Sequence, residues 1–428
     1  MISQLRTESA RTGGFMEPLT IPLLRPQPVG ALAWPAGMLV IPVVDGAVEI
    51  CRELVIGGLP SSWPASLCFV EAALNGDPQR AASLVKGDDA IARYNRAVLV
   101  GGDEEWDSLR DVGGPLGALI NTALFSVGLR DEPPEIGDDI DGEIAAVARS
   151  ARASSFLEHG RFVDAITELD FAATDALTGS SPILAASLRG TRAELLRTEL
   201  GDPLGAVNDV DLALRDLPTS APTELRADLA LTRALARHEL SLENPRHLTA
   251  VVADLQDALR TFHEETHPEA FAVCNQHLAL AYLAMPMSGQ ADRIRVGVAV
   301  SALRAALRVF TLETHPAAWA STQLNLANSL QYLPSAHQER NLDEAVQIYE
   351  ELLTIRDPDS DPIGTARILA NQANALGHLG VFGPATERLA QARDLFMVGG
   401  DSQAAKDVEL LMESLLDAQR SASKVVEP

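Results

Sequence analysis

The amino-acid sequence predicts an all-α protein built as a solenoid of stacked helical hairpins, and three observations carry that expectation. The first is composition. The 428 residues are 46% hydrophobic but only 4% aromatic. Alanine and leucine dominate, a mix that favours helices packed through small residues over β-sandwiches. The second is an internal repeat. Shifted by 48 residues, Ala258–Pro286 (ALRTFHEETHPEAFAVCNQHLALAYLAMP) lies on Ala306–Pro334 (ALRVFTLETHPAAWASTQLNLANSLQYLP). The two share Ala-Leu-Arg, Phe262/Phe310 and the run Glu-Thr-His-Pro. A further shift of about 46 brings PAAWASTQLNLANSLQYL onto PIGTARILANQANALGHL from Pro362, with Asn325/Asn371 and Asn328/Asn374 coincident. Repeats of this length mark stacked supersecondary units. The third observation is period. AVSALRAALRVF (299–310) and NLDEAVQIYEELLTI (341–355) place apolar residues at i, i+3, i+4 and i+7, the signature of an amphipathic helix.

Taken in order, residues 1–44 read as an irregular, Pro-rich segment with one short strand at Met38–Val44. The opening MISQLRTESARTGG lacks the basic-then-apolar order of a signal peptide. The most apolar stretch, ALAWPAGMLVIPVVDGAV, is broken by Pro35, Pro42 and Asp45 and is too short to span a bilayer. A cytoplasmic protein without a membrane partner is expected. Residues 45–130 read as a mostly helical N-terminal region, through GAVEICRELVIGG, ASLCFVEAALNG, DPQRAASLV, DDAIARYNRAVLVG and GPLGALINTALFSVG. Gly76-Asp77-Pro78 followed by Ala81 looks like a decayed repeat, so this region is either the first turns of the solenoid or a separate cap. Residues 131–143, DEPPEIGDDIDGE, form an acidic linker. Its DDIDG is a poor calcium loop, because Gly137 and Ala148 stand where ligands are needed.

Residues 144–420 carry the repeats. GRFVDAITELDFAA from Gly160, GDPLGAVNDVDLALRDLP from Gly201 and GVFGPATERLAQAR from Gly380 share one design. A glycine supplies the turn between two helices, and small residues such as Ala206 and Ala213 let those helices approach closely. Asn341, with Glu344 three residues on, is the expected N-cap of the helix at 341–355. Residues 421–428 should fray.

This pattern of glycine, two spaced alanines and a closing proline (Gly201, Ala206, Ala213, Pro218) resembles the tetratricopeptide-repeat family. The longer Thr-His-Pro copies are similar to the extended repeats of kinesin light chains and of bacterial proteins with caspase-like protease domains. The resemblance covers about residues 144–420. It implies a right-handed α-solenoid of some six hairpins whose curved inner face binds a protein or peptide partner.

One motif points elsewhere. His263-Glu264-Glu265-Thr266-His267 matches H-E-x-x-H, a zinc-hydrolase helix with two imidazoles and a glutamate base. In the second copy the segment becomes Thr311-Leu312-Glu313-Thr314-His315, so the recurring element is Thr-His-Pro. Pro268 also pushes His267 out of helical conformation. A histidine in the turn between two helices is the better reading. No P-loop or G-x-S-x-G elbow occurs. Cys51, Cys68 and Cys274 lie scattered in apolar stretches, as buried thiols do. No metal, cofactor or catalytic residue is assigned. The formal charge of −25 argues against nucleic acid and suits basic or neutral partners.

Stacked hairpins curve, so each repeat's first helix should present one face inward. There the sequence offers Asn325, Asn328, Gln331 and Tyr332 on one helix. Arg367, Asn371, Asn374 and His378 follow on the next, with Gln276 and His277 on the one before. An amide both donates and accepts, so it can hold an extended peptide backbone. Arg192 and Arg233 are further candidates. The reading is a non-catalytic binding scaffold or adaptor. Rival readings are an activity in the N-terminal region and zinc hydrolysis at 263–267. A homodimer through the N-terminal region or an end repeat is also expected of uncapped solenoid ends.

Overall fold

Among the described residues, six α-helices begin with proline at their first position, and that habit sets where the hairpins turn. Proline's fixed φ suits a helix start, and its missing N–H would have been unpaired there anyway. The computed structural model describes residues 18–19, 30–31, 35–286, 291–334 and 337–426. Trp34, the N-terminal opening and most of the Pro-rich segment lie outside them. The chain divides into two compact units, Met1–Glu243 and Asn244–Pro428.

Unit 1 holds a two-residue antiparallel ladder, β1 (Pro18–Leu19) with β2 (Gly30–Ala31). Eleven helices follow: α1 (Ala47–Val55), α2 (Cys68–Leu74), α3 (Pro78–Leu84), α4 (Ala90–Val100), α5 (Asp103–Asp107), α6 (Gly114–Ser126), α7 (Gly142–Glu158), α8 (Phe162–Thr178), α9 (Pro182–Thr198), α10 (Pro203–Asp216) and α11 (Thr223–Ser241). Unit 2 holds α12 (Leu248–Ala258), α13 (Pro268–Ala284), α14 (Ala291–Leu307), α15 (Pro316–Tyr332), α16 (Gln338–Ile355), α17 (Pro362–His378), α18 (Phe382–Val398) and α19 (Ser402–Val426). In both units each long helix packs on its sequence neighbours, α7 on α8 through α10 on α11, and α12 on α13 through α18 on α19. This is a helical solenoid.

The expected hairpin design is met at each glycine. Gly160, Gly201 and Gly380 adopt left-handed φ of 70°, 61° and 76° between α7/α8, α9/α10 and α17/α18, a conformation open to residues without Cβ. Ala165, Ala172, Ala206, Ala213, Ala385 and Ala392 are wholly buried where the paired helices meet. Five of the proline-led starts come in two forms. Asp77, Asp202 and Asp361 precede their prolines and accept the backbone N–H of Arg80, Gly205 and Gly364 at 3.0, 2.8 and 2.8 Å, as N-caps do. His267 and His315 hold the same position without capping. Each ring instead packs on a buried phenylalanine, Phe262 or Phe310, with centroids 5.3 Å apart.

The N-terminal helices share one hydrophobic core with the first hairpins, running from Ala36 to Ala236. Ser220 donates its hydroxyl to the Ile56 carbonyl at 2.9 Å, across 164 residues. Two expectations change here. No strand forms at Met38–Val44. A 3₁₀ turn at Ala36–Met38 leads into Leu39–Ile41, which is extended and fully buried. Its partner is a side chain: buried Asn95 on α4 accepts from the Val40 N–H and donates to the Val40 carbonyl, both at 2.8 Å. Asn341 is not an N-cap either. α16 begins a turn earlier, after His337, where the Gln338 amide donates to the Gln331 carbonyl at 2.9 Å. α19 continues to Val426. No helix among the described residues is long and apolar enough to cross a membrane.

Gly57 has φ of +81°, and a Cβ there would meet the side chains of Ile183 and Pro222 at 2.5 and 2.6 Å. Gly57→Ala should therefore cost about 2–4 kcal/mol in urea denaturation, combining strain and overpacking. Gly76→Ala, with similar φ but open space around it, should cost about 1 kcal/mol. A second expectation concerns acid. Burial pushes the His238 imidazole below its ordinary value, against the opposing pull of Glu239. The folded state then holds the neutral ring. That contribution is lost as pH falls through the unfolded value near ~6.5. Melting temperature should fall from pH 7.5 to 5.5, and less steeply in His238→Gln.

Candidate functional site

The zinc motif dissolves in the fold. Residues 263–267 form the turn between α12 and α13, not a helix face. His263 is exposed. Glu264 accepts two hydrogen bonds from the Arg308 guanidinium, at 3.0 and 2.8 Å to Nε, and this holds its carboxyl below the usual range. The segment is a seam between consecutive hairpins. His315, in the next seam, lies 3.4 Å from Glu269 of α13.

Helical spacing groups the polar candidates of unit 2 on one face of each first helix. On α15, Ser321, Asn325, Asn328 and Tyr332 recur at i, i+4, i+7 and i+11 and so share one face. Buried Trp319, Leu326 and Leu330 occupy the opposite face. On α17 the equivalent row is Arg367, Asn371, Asn374 and His378. The structure divides these candidates into two groups.

One group is engaged within the protein. The Tyr349 hydroxyl of α16 donates to Asn328 Oδ1 at 2.6 Å, and Gln331 donates to that hydroxyl at 2.7 Å. Asn371 Nδ2 donates to the same Asn328 oxygen at 2.9 Å, and Asn374 Nδ2 to Gln331 Oε1 at 2.8 Å. Asn328, Gln331, Asn371 and Asn374 thus form a network that ties α15, α16 and α17 together. Tyr349, fully buried at its centre, has its phenol pushed upward by burial. Gln276 is buried and donates to the Thr322 hydroxyl of α15 at 2.9 Å. His277 is half-buried with an interaction of its own.

The other group stays open. Asn325 is half-buried, and its amide makes no hydrogen bond with the described residues. Arg367 and His378 are exposed and without ion pairs among the described residues. Tyr332 is 65% exposed. The face therefore presents free groups at its two ends and a self-satisfied amide network between them.

Arg192 and Arg233 in unit 1 belong to the engaged kind. Arg192 bonds Asp209 at 2.6 Å, and Arg233 bonds Asp211 at 2.6 Å. Arg149, Arg189 and Arg197 reach Asp175, Asp216 and Glu239 in the same way, at 2.7, 2.8 and 2.6 Å. Burial outweighs the neighbouring arginines at Asp209 and raises its carboxyl. These arginines bridge helices and leave little for a partner.

Sequence reasoning missed Tyr349, which sits within the apolar stripe of α16 and looked like core. Tyr349→Phe should cost about 1–2 kcal/mol in unfolding, because Asn328 and Gln331 each lose a buried partner. A double-mutant cycle of Tyr349→Phe with Asn328→Ala should show coupling above ~0.5 kcal/mol.

No protein-family model matches the chain, and no curated protein sequence matches it. Solved structures resemble it at the level of fold. PilW, a widely conserved type IV pilus biogenesis factor, overlays with a TM-score of 0.40 at 15% identity, covering 60% of this chain and 97% of its own. A STAND signal-transduction ATPase with a tetratricopeptide repeat sensor, from Pyrococcus horikoshii, gives 0.41 at 12% identity. That overlay covers 88% of this chain and 57% of the ATPase. The tetratricopeptide domain of P58(IPK) gives 0.29 at 16%, covering 85% and 99%. Overlays this loose transfer no residue and no role. The chain's own hairpins, with left-handed glycines, buried alanine contacts and proline-led first helices, make its fold a tetratricopeptide-like helical solenoid.

Proposed function

We propose that this chain is a non-catalytic scaffold that receives an extended segment of a partner protein on the inner face of unit 2. The observation that carries the reading is the set of groups on that face without hydrogen-bond or ion-pair partners among the described residues. Asn325, Tyr332, Arg367 and His378 remain open or half-open, while their neighbours on the same helices are hydrogen-bonded to one another. A half-buried amide without a partner offers a donor and an acceptor to a backbone. An exposed tyrosine adds broad contact area at low entropic cost.

The network asparagines are poor sites for testing this idea, since truncating them loosens the hairpins themselves. A photo-activatable phenylalanine at position 332 in the full chain avoids that. The control is the same group at Leu204, 58% exposed on α10. In native lysate, one protein should cross-link at 332, not at 204, and the yield should fall several-fold in Asn325→Ala. Equal labelling of the same protein from both positions would overturn the reading.

A further inference from the structure

Two of the joints between consecutive hairpins of unit 2 share one design, and the third, between α16 and α17, departs from it. At the seams before α13 and α15, buried Phe262 packs on His267 and buried Phe310 on His315. In the next copy Arg356 and Asp361 take the places of Phe310 and His315, and they form a partly exposed ion pair instead. The same change occurs inside the stack. Leu278 of α13 and Leu326 of α15 occupy equivalent places and are buried. The residue aligned with them on α17 is Gln372.

Gln372 is wholly buried yet poorly matched. Its Nε2 lies 3.5 Å from the Val346 carbonyl of α16, at the limit of a hydrogen bond, and its Oε1 accepts none among the described residues. A buried acceptor without a donor weighs against the closed state by its desolvation. Ile368, Asn371, Gln372 and Ala375 recur at i, i+3, i+4 and i+7 and so share one face of α17. That face meets the preceding hairpin, since Asn371 reaches Asn328 of α15 as Gln372 reaches α16. On the other side, Ala366, Leu369 and Ala373 join residues of α18 and α19 in an apolar cluster of their own. Helix α16 adds only the half-buried Leu353 to it. The block α17–α19 is therefore apolar within and mostly polar at its boundary.

We infer that unit 2 opens at this joint, with α17, α18 and α19 moving as one block. The stability of stacked hairpins is a sum of repeat terms and neighbour interfaces, so the weakest interface sets where the stack parts. Amides at the boundary exchange protein partners for water on parting, and the net loss is small. Parting Leu278 or Leu326 from its neighbours exposes apolar surface to water. An ion pair as exposed as Arg356–Asp361 adds little to closure. Opening separates the two ends of the candidate face, because Asn325 and Tyr332 stand before the joint and Arg367 and His378 after it.

Amide hydrogen exchange of the full chain, followed by mass spectrometry, tests this. The slowest amides of α17, α18 and α19 should exchange at one common rate, faster than those of α15, as a cooperative local unit does. Gln372→Leu, which copies α13 and α15, should slow all three helices together by about tenfold and leave α13 unchanged. Gln372→Met, unbranched and adaptable, should give the same slowing even where leucine packs badly. Graded exchange, with α19 faster than α18 and α18 faster than α17, is progressive fraying and would overturn the inference. Exchange of α17 in step with α15, or block exchange that neither variant slows, would overturn it equally. No partner is present in this measurement, so its outcome is independent of the cross-linking at position 332.

Discussion

Every longer-range feature of this protein depends on how closely its helices can approach. Wherever two helices of a hairpin meet, an alanine with no exposed surface stands at the contact. A larger side chain there would push the axes apart. The amide network then could not close, because Asn371 and Asn374 reach back to Asn328 and Gln331 through short side chains at 2.9 and 2.8 Å. Alanine buries little apolar area by itself. Its contribution is geometric, bringing polar groups of successive hairpins within hydrogen-bonding distance and leaving larger residues such as Tyr349, Phe262 and Phe310 to fill the gaps.

That geometry explains which parts of the fold were legible in the sequence. Glycines 160, 201 and 380 and the Thr-His-Pro seams are local signals, since a left-handed residue or a proline constrains the backbone where it stands. The repeat in the sequence then stood for the repeat in space. The segment Leu39–Ile41 misled because an extended, apolar run looks the same whether a strand or an asparagine side chain satisfies its backbone. Asn341 misled because its residue type suits a cap, while the Gln338–Gln331 bond starts the helix one turn earlier. The candidate face was half legible. Periodicity put Asn325, Asn328, Asn371 and Asn374 on inward rows, but not how near the next hairpin's row would lie. That nearness separates the bonded asparagines from the open one.

The two units solve the problem of polar groups on first helices differently. Unit 1 uses charge: Arg149, Arg189, Arg192 and Arg197 each reach a carboxylate on another helix. Such pairs offset their desolvation only when geometry is good, and at Asp209 burial raises the carboxyl despite the Arg192 guanidinium beside it. Unit 2 uses neutral amides, which lose less on leaving water. Between them, α13, α15 and α17 therefore carry one arginine and one carboxylate, Arg367 and Glu269.

The two Thr-His-Pro seams have a consequence for how such a chain can change length. Their ring pairs, Phe262 with His267 and Phe310 with His315, repeat the same 5.3 Å separation and the same 54° tilt. The hairpin between them, α13 with α14, thus begins and ends on matching joints. A gene segment spanning one such interval could be duplicated or lost while each surviving joint still met its proper counterpart. Lengthening the array by whole intervals needs no new packing solution, whereas an insertion of any other length would set a histidine ring against a surface built for something else.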